Sequence, residues 1–135
     1  MRAVLDPNVL ISAALSPGSA PALVVEAWQG GRFELVVSPL LLAELNAALA
    51  YPKLRKHISA EDAEQLLVGL QAAAESADDP PGPGTIRSRD PGDDYLLALA
   101  EREGAALVSG DRDLLARSDA APIFAPSAFL ELLES

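Results

Sequence analysis

The sequence predicts an α/β domain in which helices cover both faces of a central parallel sheet. Short apolar runs alternate with segments of helical periodicity, and this alternation is typical of parallel strands joined by helical crossovers. A chain of 135 residues that is 50% hydrophobic can bury one substantial core but is too short for two ordinary domains. We therefore expect a single three-layer α/β/α domain over residues 1–135.

Two strands and three helices are expected in the first part of the chain. An apolar run after Met1 ends at Asp6-Pro7-Asn8, which breaks a buried strand into the start of a helix. Gly30-Gly31 ends the next helix because glycine readily adopts the left-handed cap conformation. Ser38-Pro39 supplies the N-cap and first residue of a third helix. The predicted elements are a strand at 2–5, helices at 9–15 and about 21–28, a strand at 33–37 and a helix at 40–49.

The rest of the chain is expected to add helices and at least one further strand. Ser59 and the acids after it open an amphipathic helix, and the Pro- and Gly-rich segment 78–84 predicts an exposed loop. The predicted elements are helices at about 59–76 and 93–103, a strand at 105–108, a short helix around 114–115, a fourth strand at 122–124 and a last helix at 126–133.

Composition limits the kind of site and its partners. The chain has no cysteine, so any metal must be bound by oxygen or by the single histidine, His57; the lack of cysteine suits the cytoplasm. No run approaches the roughly 18 apolar residues of a membrane span, so no membrane association is expected. A net charge of −10 repels nucleic acid on average, but acids gathered at one point attract divalent cations, which reverse the local field.

Acidic side chains from four distant segments are predicted to converge. Asp6 and Asp111 each follow a predicted strand, and the carboxyl ends of parallel strands lie at the same edge of a sheet. Glu44 is expected on the buried face of its helix, where a carboxylate is costly unless it is paired or bound to metal. Asp93 begins the apolar stripe of its helix, while Asp94 lies beside that stripe, so we favour Asp93 as the inward residue.

Four such carboxylates predict a site for Mg²⁺ or Mn²⁺. These hard cations prefer oxygen ligands and keep several waters, one of which can attack a phosphodiester. A second ion, roughly 3.5–4 Å from the first in enzymes of that type, could stabilise the leaving oxygen. No histidine, cysteine or serine nucleophile is required.

Several motifs resemble the PIN-domain family. They are LDPNVLISA at residues 5–13, the helix of Glu44, RDPGDDYLLALA at residues 89–100 and LVSGDRDLL at residues 107–115. The resemblance spans nearly the whole chain and is closest to bacterial PIN proteins described as toxin components of toxin-antitoxin pairs, similar to VapC toxins. One departure is Pro7, where threonine is usual in the family, so a hydroxyl near the site is missing.

The resemblance implies a Mg²⁺- or Mn²⁺-dependent ribonuclease that cuts single-stranded RNA. It also implies a homodimer and silencing by a small antitoxin protein. In this family the acidic quartet, both catalytic and metal-binding, would be Asp6, Glu44, Asp93 and Asp111. The supporting positions would be Asn8, Ser109, Asp113 and Asp94, with Asn8 orienting a carboxylate and Ser109 bonding the Asp6 side chain or a metal-bound water.

Each acidic residue also has a purely structural explanation. Asp6 and Asp111 could be turn or cap residues, and Glu44 could pair with an arginine. Asp90, Asp94 and Asp113 could be surface caps.

The basic and aromatic residues also have both a structural and a functional explanation. The basic cluster is either a solvated face or a contact for the RNA backbone, as Arg87 and Arg89 could also be. Its members are Lys53, Arg55, Lys56 and His57. The aromatic side chains are expected in the core rather than as stacking platforms: Trp28, Phe33, Phe124 and Phe129.

Two other functions compete with the nuclease. In the first, Asp6 is the nucleophile of a Mg²⁺-dependent phosphatase; enzymes resembling the haloacid dehalogenase group need a second aspartate two residues later, where this chain has Asn8. In the second, the acidic pocket is catalytically weak and receives a basic segment of a partner protein.

Overall fold

A five-stranded sheet lies at the centre of the computed structural model, which describes residues 1–135. The strands are β1 (Arg2–Leu5), β2 (Glu34–Val37), β3 (Glu75–Ser76), β4 (Ala106–Val108) and β5 (Ile123–Phe124). They lie in the order β3-β2-β1-β4-β5, and every neighbouring pair is parallel. The predicted α/β class with a parallel sheet is therefore confirmed.

Eight α-helices connect and flank the strands. They are α1 (Pro7–Leu15), α2 (Ala20–Gln29), α3 (Pro39–Leu49), α4 (Pro52–Arg55), α5 (Ala60–Ala73), α6 (Asp94–Glu103), α7 (Arg112–Leu115) and α8 (Pro126–Glu134), with a 3₁₀ turn at Pro91–Asp93 before α6. No single helix is long and apolar enough to cross a membrane; α1 and α2 pass such a test only as a pair bent by 101°.

The direction of the chain along the sheet reverses between β1 and β4. From β1 it steps outward to β2 and β3, and it then crosses back to β4 and β5. Because crossovers are right-handed, the connections that run toward β3 and those that run toward β5 place their helices on opposite faces of the sheet. One of these helices, α6, packs directly on β1 and β4. Such a reversal opens a crevice at the carboxyl ends of the two strands that flank it. The residues that follow β1 and β4 therefore face one crevice.

The core lies on both faces of β1, β2 and β4. Ala3, Val4 and Leu5 of β1 are fully buried, as expected for a strand covered on both sides. Phe33 and Phe129 are also buried, and their rings meet edge to face at 5.1 Å between centroids. Trp28 and Phe124 are half-buried against the same core, so the four aromatic residues pack as predicted.

The structure corrects the prediction for residues 59–76. The helix ends at Ala73, and Glu75 and Ser76 form β3 by pairing with Val36 and Val37 of β2. A strand of two residues shows no alternation in sequence, and the alanines before it favour a helix. The sheet consequently has five strands where four were predicted. The one-turn helix α4 was not predicted either, since no side chain caps its start at Tyr51.

Candidate active site

Asp6 lies at the end of β1 and caps the first turn of α1. Its backbone N–H donates to the Val108 carbonyl of β4 (3.0 Å), which continues the pairing of the two strands. Its Oδ1 accepts the Asn8 N–H (3.0 Å), and its Oδ2 accepts the Ser109 hydroxyl (2.8 Å). Asp6 is 4% exposed and Ser109 is not exposed at all. The carboxylate is thus held in one orientation at the edge of the sheet.

Ser109 also connects Asp6 to Asp111. The Ser109 hydroxyl oxygen accepts the Asp111 N–H (3.0 Å) while its proton is donated to Asp6. Asp111 caps α7, and its Oδ1 accepts the Asp113 N–H (2.9 Å). One buried hydroxyl therefore ties the loop after β1 to the loop after β4.

Asp93 joins this pair from the start of α6. The carboxyl is half-buried, and its Oδ2 is buried without a hydrogen-bond partner. Its pKa is raised from 3.8 to about 7, first because burial disfavours the charged form. Asp111 raises it further by hydrogen bonding and charge repulsion, followed by the charges of Asp90 and Asp6. Burial also raises the pKa of Asp6, against the opposing hydrogen bonds from Asn8 and Ser109.

Asp94 has a different environment from its neighbour. It is buried, its Oδ1 accepts the Ser88 N–H (2.7 Å), and its Oδ2 lies 3.7 Å from a nitrogen of Arg87. Asp94 therefore fastens the preceding loop to α6, and the interpretation of Asp94 as a surface cap is wrong. Of the two adjacent aspartates, the structure places Asp93 beside Asp6 and Asp111.

Glu44 differs from the expectation that it is buried. The side chain is exposed, because on α3 it lies at the margin of the buried stripe that contains Leu41 and Leu45. Its Oε2 accepts a hydrogen bond from the Tyr95 hydroxyl, and it forms no ion pair with an arginine. Glu44 is not among the groups that raise the pKa of Asp6 or Asp93. The structure thus brings three aspartates together, whereas Glu44 is bonded to Tyr95 at the start of the helix that follows Asp93.

Two of the four supporting residues, Asn8 and Asp113, act through their backbone. Asn8 orients Asp6 with its N–H, and the Asn8 side chain is exposed. Asp113 likewise contributes its N–H to Asp111. Asp90 is exposed and caps the 3₁₀ turn by accepting the Gly92 N–H (2.9 Å), as expected for a surface cap.

Sequence reasoning missed two residues at this site, Tyr95 and Asp79. Tyr95 is half-buried, and its pKa is raised first by burial, then by its hydrogen bond and charge contact with Glu44, and then by the charges of Asp6 and Asp79. Asp79 accepts the Leu40 N–H (2.9 Å) at the start of α3. The position of Tyr95 in the first turn of the helix after Asp93 could have indicated a role at the site. Asp79 lies in a Pro- and Gly-rich loop, where no sequence pattern indicates such a role.

The basic cluster lies away from every ion pair of the molecule. Lys53, Arg55, Lys56 and His57 are all exposed. The three ion pairs instead join Arg2 to Glu75 and Glu103, and Arg87 to Asp94. Leu54 and Ile58 anchor this segment to the core, so the cationic side chains project from a fixed turn. We call residues 53–57 the basic turn.

The donor set fits a hard divalent cation chemically. Carboxylate oxygens are the preferred ligands of Mg²⁺ and Mn²⁺. The partnerless Oδ2 of Asp93 and the raised pKa of that carboxyl indicate an excess of negative charge without a counterion. No three Asp, Glu or His side chains converge closely enough to enclose a metal ion in their present rotamers. Binding of an ion would therefore require the carboxylates to move closer together.

Comparison with known sequences identifies the class of protein. Residues 2–113 match the sequence model of the PIN domain, so the chain belongs to the PIN-domain family. A relative in Methanocaldococcus jannaschii, the uncharacterised protein MJ1680, is 27% identical over 121 residues, which is 88% of this chain and 76% of that protein. The resemblance found in the sequence motifs is confirmed.

Three solved structures share the fold. PAE2754 from Pyrobaculum aerophilum superimposes with a TM-score of 0.63 and 21% identity, covering 100% of this chain and 91% of that one. VapBC2 from Rickettsia felis, solved bound to a DNA fragment from its promoter, gives a TM-score of 0.58 and 18% identity, with 92% and 97% coverage. FitAcB from Neisseria gonorrhoeae gives a TM-score of 0.53 and 20% identity, with 93% and 98% coverage.

Proposed function

We propose that this PIN domain is a metal-dependent endoribonuclease that hydrolyses phosphodiester bonds of single-stranded RNA. The observation that supports this most is the cluster of Asp6, Asp93 and Asp111 at the crevice between β1 and β4, with the buried Oδ2 of Asp93 left without a partner. Like charges held together at the cost of solvation are characteristic of functional sites. Glu44 completes the quartet from α3.

The carboxylates of this quartet are the groups that would hold Mg²⁺ or Mn²⁺. Bound there, the cation would lower the pKa of a coordinated water and polarise the scissile phosphate. Asp6 enters the site already oriented, since the Asn8 N–H and the Ser109 hydroxyl fix its two oxygens. Asp93 is partly protonated at neutral pH because its pKa is raised to about 7, and cation binding would release that proton.

Two surfaces of the chain are candidates for holding the RNA. An open cleft of about 350 Å³ lies against Asp111 and is lined in part by Asn8, Ser12 and Gly110; this is enough room for a nucleotide-sized group. The basic turn is the densest group of cations in a chain with a net charge of −10. Phosphate contacts of this kind position a nucleic acid without reading its sequence.

We further propose that the chain is the toxin of a toxin-antitoxin pair and forms a homodimer. VapBC2 and FitAcB, which share its fold, are named for two components each. On this chain a groove of about 470 Å³ runs between α2 and α5 and exposes Val25, Trp28 and Leu66. An apolar helix of a small antitoxin would suit this groove.

The experiment is cleavage of a labelled single-stranded RNA in the presence of Mg²⁺ or Mn²⁺, and again with EDTA. We expect Asp6→Asn and Asp111→Asn to reduce cleavage to the level of the EDTA control. Asp119→Asn is the matched control, because that aspartate is exposed and forms no hydrogen bond or ion pair. Circular dichroism checks that each variant is folded.

The outcomes separate the nuclease from its rivals. Hydrolysis of a generic aryl phosphate without RNA cleavage would favour a phosphatase that uses Asp6 as nucleophile. A melting temperature that rises with metal while no RNA is cut would favour the binding module. Undiminished cleavage by both Asp variants would exclude the proposed site.

A further inference from the structure

Tyr95 connects the two helices that carry the outer acids of the site. It lies in the first turn of α6, two residues after Asp93, and its hydroxyl donates a hydrogen bond to Glu44 Oε2 on α3. This is the only hydrogen bond of the Glu44 side chain, which forms no ion pair. The orientation of Glu44 therefore depends on a single donor.

The Tyr95 side chain is rigid, whereas the Glu44 side chain that accepts its hydrogen bond is not. The Tyr95 ring is half-buried and packs against the core, so its hydroxyl has a fixed position. Glu44 is exposed on α3, and an exposed glutamate moves among many rotamers unless a contact selects one. The tyrosine thus selects the rotamer of the acid.

The direction that it selects is toward the helix that follows Asp93. Tyr95 lies two residues after Asp93 at the start of α6, so its bond holds the Glu44 carboxylate beside that end of the helix. The bond occupies Oε2 and leaves Oε1 of Glu44 without a partner.

We propose that Tyr95 is a positioning residue that holds Glu44 at the acidic cluster, so that the free oxygen of Glu44 can serve as the fourth ligand of a divalent cation. This inference rests on the proposed metal-dependent function. Tyr95 itself contacts neither the cation nor the RNA. Its contribution is made through Glu44 alone.

Tyr95→Phe tests this directly because it removes the hydroxyl and keeps the packed ring. We expect Mn²⁺ affinity, measured by titration calorimetry, to fall about 5- to 10-fold, which corresponds to about 1–1.4 kcal/mol and lies within the net range of an ordinary intramolecular hydrogen bond. In RNA cleavage at limiting Mn²⁺, kcat should fall while KM for RNA stays unchanged. Tyr51→Phe is the control, since this only other tyrosine is 67% exposed and its hydroxyl forms no hydrogen bond.

A double-mutant cycle distinguishes positioning from simple stabilisation of the fold. If the hydroxyl acts through Glu44, Tyr95→Phe has no further effect on Mn²⁺ affinity once Glu44→Gln is present. Glu44→Asp provides an independent variant, because the shortened side chain keeps its charge but withdraws from the hydroxyl, and it should weaken Mn²⁺ binding to a similar degree.

Two results would overturn the inference. One is wild-type Mn²⁺ affinity in Tyr95→Phe or Glu44→Asp, and the other is an equal loss with and without Glu44→Gln. If the wild-type protein binds Mn²⁺ and cuts RNA, either result rejects the role of Tyr95 and leaves the proposed nuclease activity unaffected. A wild-type protein that neither binds Mn²⁺ nor cuts RNA rejects both.

Discussion

Replacing Asp93 by asparagine should stabilise the protein in the absence of metal, and the gain should grow as the pH rises from about 4 to about 7. Asparagine has the same shape and can donate to Asp111, whereas ionised Asp93 is repelled by Asp111, Asp90 and Asp6. Folding raises the pKa of this carboxyl from 3.8 to about 7, so the folded protein holds its proton more tightly than the unfolded chain does. The resulting destabilisation is absent below about pH 4 and complete above about pH 7.

The size of the effect follows from the shift. About three pKa units correspond to about 4 kcal/mol at 1.36 kcal/mol per unit. Because the carboxyl is still partly exposed, solvent screening reduces this to about 1–2 kcal/mol. For a chain of 135 residues this raises Tm by about 3–8 °C.

Thermal unfolding of Asp93→Asn and the wild-type protein, both in EDTA, measures this difference at pH 8 and at pH 5. The gain in Tm should be largest at pH 8 and smaller at pH 5. Asp119→Asn shows what removal of one charge does elsewhere on this acidic chain. A variant no more stable than wild type at pH 8, or a gain independent of pH, would refute the idea that Asp93 is held near like charges.

Three further predictions follow from the hydrogen bonds and charges. Ser109→Ala should cost about 1–3 kcal/mol in urea unfolding, because it leaves two buried polar groups without a partner, and it should also lower cleavage. Asp94→Ala should release the loop at Ser88 and weaken Mn²⁺ binding in calorimetry, since that loop leads into the turn presenting Asp93. Arg55→Gln/Lys56→Gln should weaken binding of single-stranded RNA and reduce the slope of log K against log salt by about 1.4.

Each of these has its own control. Ser118→Ala removes an exposed hydroxyl and should leave unfolding unchanged. Asp94→Asn keeps an oxygen for Ser88 and should retain most of the Mn²⁺ affinity. Arg32→Gln/Arg102→Gln removes the same charge as the basic-turn variant, but from other exposed positions. An equal loss of salt dependence in this control would mean that RNA binding depends only on the net charge of the protein.

The strand ends could be predicted from sequence because they depend on local patterns. An apolar run that stops at an aspartate predicts a strand and the point where it ends. Because parallel strands end at the same edge of a sheet, this pattern also predicts that Asp6 and Asp111 meet there. Helical register was likewise enough to prefer Asp93 to Asp94, and the structure places only Asp93 near the other two acids.

The remaining features depend on how distant elements are placed. The burial of Glu44 was predicted wrongly, because a residue at the margin of an apolar stripe becomes buried or exposed according to what packs beside it. The Tyr95 contact requires α3 and α6 to meet across the sheet edge. β3 exists only because the edge of β2 offers it a partner.

The bond between Asp6 and Ser109 joins residues 103 positions apart, and β1 pairs with β4 over the same span. During synthesis Asp6 is made well before β4, the strand that completes its surroundings. A nascent chain therefore carries no assembled site until β4 has been made, and long-range pairing of this kind forms late in folding. For the proposed ribonuclease, this order of assembly would keep a partly made chain from cutting RNA.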